Sequence, residues 1–160
     1  MADRDNFIVW WLRRVAYRIW QFKQTVLPKL DRVAWHEAVS DLPLPVQAHL
    51  ASLKKSEKAH ILRVYRAVKT SRQINDVERL ELMQMALLHD IGKAIIRSSV
   101  FMKVARVFLP LGRNEHCIAG ARLLHRLGFD RSLVNRVLRH HTFDHSDRLL
   151  RIFQEIDDNS

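Results

Sequence analysis

The chain has 160 residues, 48% hydrophobic and 28% charged, which suits one soluble globular domain and excludes two catalytic domains or a disordered or fibrous chain. Four Gly and four Pro leave few tight turns, so a many-stranded sandwich or barrel is disfavoured and an all-α fold is expected. Lys and Arg total 27 against 17 Asp and Glu, and residues 91–140 hold ten bases against two acids, so that stretch should face a phosphate-bearing substrate, a nucleic acid backbone or an anionic membrane.

In chain order, Asp3, Arg4 and Asp5 stand where a secretory signal carries net positive charge, and Cys117 has no partner for an internal disulfide. A cytoplasmic chain is expected. The apolar run Phe7 to Leu12 stops at Arg13 and Arg14, too short to cross a bilayer. From Ile8, the residues Trp11, Leu12, Val15, Ile19, Phe22 and Val26 recur at helical spacing, predicting an amphipathic helix that ends near Pro28. Residues 1–45 are read as an N-terminal helical extension. Its Arg13, Arg14, Arg18 and Lys23, with Trp10 and Tyr17, would suit peripheral contact of residues 7–27 with an anionic membrane or a partner. Packing of its apolar stripe on the domain is the plainer expectation.

Pro43 and Pro45 predict a connector over residues 40–46, after which the main domain, 46–160, begins. A helix from about Ser56 to Lys69 follows, with Ser56 as N-cap, Ile61, Val64, Tyr65 and Val68 facing inward, and His60 on it. Ser71 to Asp76 reads as a loop. Val77, Leu80, Met83, Leu87 and Leu88 then keep helical spacing up to His89. Pro110 to Gly112 predicts a turn, Glu115 to Leu127 a helix stopped by Gly128, Arg131 to His141 a helix capped by Asp130, and Asp147 to Ile156 a closing helix.

His-Asp pairs are weak signals, since nine His and eleven Asp give about 0.6 such pairs by chance. Here His89 and Asp90 end the apolar run Met83-Gln-Met-Ala-Leu-Leu88, which implies burial. An unpaired buried carboxylate costs several kcal/mol, so Asp90 must meet a metal ion, meet Lys93, or hold a proton. His60, His116, His140, His141 and, at the end, Asp157 with Asp158 offer nitrogen and oxygen ligands without a thiolate set. Such a set favours one or two divalent ions of the Mn, Fe, Co, Ni or Zn type, with Mg also admitted.

Over residues 46–160 these residues, in this order, resemble the HD-domain metal-dependent phosphohydrolase superfamily. The resemblance implies an all-α, phosphodiesterase-like helical bundle. It also implies that His60 is the first ligand histidine, His89-Asp90 the doublet and Asp157 the final aspartate. His89-Asp-Ile-Gly-Lys93 is similar to the form in cyclic dinucleotide phosphodiesterases, where Lys93 would point at a substrate phosphate. Glu115-His-Cys-Ile-Ala-Gly-Ala121 and Leu138-Arg-His-His-Thr142 resemble segments whose histidines hold a second metal. No Gly-Tyr-Pro follows His140-His141; Phe143-Asp-His-Ser146 stands there, which points away from the cyclic di-GMP branch.

The expected chemistry is hydrolysis of a phosphate ester, nucleotide, phosphomonoester or phosphodiester, by a metal-activated water. Asp90 and Lys93 are the catalytic candidates. Lys93, Arg97, Arg106 and, beside them, Lys103 are the candidate phosphate contacts. Gly92 is expected to let the backbone approach metal or substrate. The competing reading is a non-catalytic HD domain that docks an anionic partner or membrane through its basic face and N-terminal helix. His36, His49, His125 and His145 are expected to be core histidines. His140 and His141, about 100 degrees apart on a helix, are expected to diverge, one a ligand and the other an outer or substrate group.

Overall fold

A computed structural model of the protein describes residues 29–96, 114–142 and 146–160. The helix expected from Ile8, the turn at Pro110 to Gly112, and Arg97, Lys103, Arg106 and His145 lie outside them. The described residues form α-helices and one 3-10 turn, with no strand, so the fold is all-α as expected. The helices are α1 (Arg32–Val39), α2 (Leu44–Ala51), α3 (Lys55–Thr70), α4 (Asp76–Leu88), α5 (Glu115–Arg126), α6 (Arg131–Arg139) and α7 (Arg148–Asp158), and the 3-10 turn is Ile91–Ala94. No helix among them is long and apolar enough to cross a membrane.

The helix ends follow from local chemistry. Asn75 and Glu78 cap each other's backbone N–H at the start of α4, over 2.9 and 3.0 Å. Asp130 Oδ2 accepts from the Ser132 N–H at 2.7 Å and Asp147 Oδ1 from the Leu150 N–H at 3.0 Å. Gly128 sits at φ 78°, the left-handed conformation that ends α5. Two expectations need correction. Ser56 is not the cap of α3: the helix begins at Lys55, where the Glu57 carboxylate reaches back to the Lys54 N–H at 2.8 Å. The connector is also shorter than 40–46, because α2 starts at Leu44. A proline in a first turn removes an N–H that has no helical partner anyway, so Pro45 is tolerated inside the helix.

One core joins the bundle. Ile61, Leu62, Val64 and Val68 of α3 pack with Leu82, Met85 and Leu88 of α4, Leu133 and Val137 of α6, and Leu150 and Phe153 of α7. Trp35 and Val39 of α1 enter the same core, and Asp31 pairs with Arg66 of α3 at 2.6 Å. On α4 the expected face is wrong at its first half: Val77 and Leu80 are 78% and 69% exposed, while Leu82, Met85, Ala86, Leu87 and Leu88 are buried. The run from Leu80 to Leu88 is nearly all apolar and defines no single stripe. The deeper half of α4 is therefore wrapped by α3, α6 and α7, and its N-terminal half is left outside.

Arg136 of α6 ties this arrangement together, bonding Asp147 Oδ2 through Nε at 2.8 Å and also pairing with Glu81 of α4. Burial works to raise the Asp147 carboxyl, but Arg136 and the Leu150 N–H hold it below its usual value of 3.8. Asp147→Ala should therefore lower stability by about 1–2 kcal/mol at pH 7. Because the folded pKa is the depressed one, this contribution is present above about pH 4 and disappears as pH falls through the folded value. Urea titrations of both proteins at pH 7 and pH 3 check this: the gap should be full at the first and shrink at the second.

Candidate metal centre

The apolar C-terminal half of α4 carries His89 into the interior. His89 and Asp90 are each 1% exposed. The His89 N–H still bonds to Met85 O at 2.8 Å, and its ring Nδ1 donates to Ala86 O at 2.9 Å, so Nε2 is turned into the site. Nε2 lies 3.5 Å from Asp90 Oδ2 and 3.6 Å from Asp157 Oδ1. His60 of α3 reaches the same place, with Nε2 2.9 Å from Asp157 Oδ1. The ligating atoms of His60, His89 and Asp157 all lie within 4.8 Å of one another.

A second group faces Asp90 from the other side. His116 Nε2 and His140 Nε2 stand 3.5 and 4.0 Å from Asp90 Oδ1. His140 fixes its ring by donating from Nδ1 to Val137 O at 2.7 Å. Ligating atoms of His116, Cys117, His140 and His141 again lie within 4.8 Å of one another. His140 and His141 do not diverge as expected: their ring centroids are 4.1 Å apart. The 100 degree rule holds only inside a helix, and α6 ends at Arg139, so the chain is free to bring both rings to one group, His140 buried and His141 exposed.

Burial works against ionisation of Asp90, but His89 and Lys93 outweigh it and hold the carboxyl well below the usual range. The same balance, with His89 and His60 as partners, keeps Asp157 at about 2. Burial lowers His116 to about 4, and burial with His89 and His141 lowers His140 to about 3. His141 is lowered too, chiefly by burial. His89 differs: burial lowers it, yet Asp90 and Asp157 raise it overall. At neutral pH His116, His140 and His141 are thus neutral and the carboxylates ionised, the protonation states that metal binding needs.

Buried His89 Nε2, Asp90 Oδ1 and Asp157 Oδ1 make no hydrogen bond. Buried polar atoms are normally satisfied. His89 Nε2 and Asp157 Oδ1, 3.6 Å apart on one side of Asp90, and Asp90 Oδ1 on the other are unsatisfied polar atoms that fit divalent cations. Lys93 answers one of the alternatives for Asp90, since its Nζ lies 2.5 Å from Oδ2, but it leaves Oδ1 without a partner.

Gly92 makes a close backbone approach, and the partner the structure shows is α5. A Cβ there would lie 1.8 Å from His116 O and 2.7 Å from Gly120 N, so the glycine allows the 3-10 turn to press against α5 and brings Asp90 to His116. Among the other histidines, His36 and His125 are exposed and His49 is half-buried, so none is a core residue, and none joins either group. Arg136 is committed to Glu81 and Asp147.

Sequence reasoning missed Cys117, which lies in the second group, and the face of α7 beside the site. A cavity of about 360 Å³ opens there, lined by His140, His141, Arg151, Gln154, Asp157 and neighbouring acids. Gln154 Nε2 donates to His140 O at 3.0 Å and Thr142 O at 2.9 Å. The signal was available: residues 151, 154 and 157 share one helical face.

An all-α bundle that gathers histidines from α3, α5 and the end of α6 around a buried His-Asp doublet defines a class of protein with a polar, cation-ready interior. The family model for the HD domain matches residues 58–159, so the chain belongs to the HD domain family, which consists mostly of metal-dependent hydrolases. No curated protein and no solved structure matches it.

Gly92→Ala should destabilise the fold by about 3 kcal/mol, because the clash is with backbone that has no flexible end to yield. Gly120→Ala, whose Cβ would meet Gly92 N at 3.2 Å, should cost less. Chemical denaturation of the two variants gives the comparison, and equal stabilities would contradict this account of the turn.

Proposed function

We propose that the protein is a metal-dependent phosphohydrolase that cleaves an ester of a small phosphorylated compound, a nucleotide being the favoured substrate. The observation that carries this reading is Asp90: a buried, ionised carboxylate with an unpartnered oxygen, set between two groups of imidazoles. His60, His89, Asp90 and Asp157 would hold one cation, and Asp90, His116, His140 and His141 a second. When bound, divalent ions of the Mn, Fe, Co, Ni, Zn or Mg type supply a water of lowered pKa and offset charge on the phosphate oxygens.

The chain's own groups do the rest. The backbone carbonyls of Ala86 and Val137 hold the His89 and His140 rings by Nδ1, which keeps Nε2 directed inward. Lys93, about one-third exposed at its side chain, is long enough to leave Asp90 and pair with a substrate phosphate. Arg97 and Arg106 follow it in the chain and are proposed as further phosphate contacts. The cavity beside His140 and His141 has the size of a small phosphorylated molecule, and Arg151 gives its wall a cation.

Asp90→Asn keeps the shape and removes the charge. It should reduce hydrolysis of a generic chromogenic phosphate ester to background, while circular dichroism stays that of the wild type. Retained hydrolysis would overturn the reading and leave the docking domain in its place. Stripping the protein with a chelator should abolish activity, and adding back single divalent ions should restore it. Lys93→Ala should lower kcat/KM by about 10²-fold, the usual loss for one charge-stabilising group.

A further inference from the structure

We infer that Cys117 is a metal ligand, so that the subsite of Asp90, His116, His140 and His141 also carries a sulfur, takes a borderline cation such as zinc or cobalt and rejects magnesium. The inference deepens the proposed function and rests on it.

Cys117 is fully buried on α5, on the side that faces His140. Its Sγ lies 3.6 Å from His116 Nε2 and 4.0 Å from His140 Nε2. With metal–nitrogen and metal–sulfur distances of about 2.05 and 2.3 Å, nitrogen and sulfur on one ion stand about 3.1 to 3.6 Å apart as the angle between them opens from square to tetrahedral. The side chains already have nearly that separation. Asp90 Oδ1, buried and without a hydrogen bond, aims into the same space at 3.5 Å from His116 Nε2. It is an observation independent of the cysteine, and it points to a cation there.

Cys117 is a free, buried cysteine. On binding, the sulfur–hydrogen bond breaks, the proton passes to solvent and the freed electron pair forms the metal–sulfur bond; nothing is oxidised or reduced. The two subsites are then unequal. His60, His89 and Asp157 offer two nitrogens and an oxygen, suited to a wide range of divalent ions, whereas thiolate selects against hard ones.

The test uses the full chain, stripped of metal and titrated with cobalt(II). Cobalt gives weak visible bands with nitrogen and oxygen ligands and an intense near-ultraviolet charge-transfer band only with thiolate. As Cys117 is the one cysteine in the sequence, that band has a single source. It should grow with the visible bands and saturate with the second equivalent at most. In Cys117→Ser the ultraviolet band should vanish, the visible bands should persist, and one equivalent should bind about tenfold or more weakly. Visible bands without the charge-transfer band in the wild type would overturn the sulfur ligand and leave the metal centre standing. No bound cobalt at all would overturn both. Should the serine variant fail to fold, the wild-type spectrum decides alone.

Discussion

The structure is organised around the cost of placing one negative charge in its interior. Asp90 is almost fully buried, and an ionised carboxylate in such surroundings is tolerable only if positive or polarisable groups enclose it. Lys93 takes one oxygen. The other looks toward His116 and His140, which burial keeps neutral and which therefore cannot compensate it by charge. Much of the molecule follows from this demand: α4 must enter the centre of the bundle to deliver the doublet, and α3, α5, α6 and α7 must each contribute a side chain to the same place.

That delivery depends on unglamorous contacts. The close approach of the Gly92 turn to α5 sets the distance between Asp90 and His116. Asn75 and Glu78 fix where α4 begins, and hence how deep its far end reaches. Gln154 holds the carbonyls after α6 and so steers His140 and His141. Each of these contacts sets a coordinate of the site.

The helices were largely legible from the chain because they are written in periodicity, caps and breakers: Asp130 and Gly128 act as expected, while Asn75 and Asp147 are caps that the spacing alone did not single out. The side chains that the structure gathers around Asp90 were legible through their order and the buried look of the run before His89. What escaped depended on three-dimensional company. The buried face of α4 could not be read from a segment apolar on nearly every side. The shared direction of His140 and His141 depends on where α6 stops, which a boundary read from spacing alone places two residues late. Cys117 looked inert because a single cysteine suggests nothing until His116 and His140 are found beside it. Gly92 was correctly marked as a close approach, but the partner is the backbone of α5.

The directions of the helices add something that no side chain shows. His89, His140 and Asp157 all stand at or within two residues of a C-terminal end, those of α4, α6 and α7, while His116 stands near an N-terminal one. Each C-terminal end carries roughly half a unit of negative partial charge from its aligned peptide dipoles. Three such ends against one make the peptide backbone itself electronegative at the centre. Changing the side chains would leave that field in place, so a pull on positive charge is built into the path of the main chain.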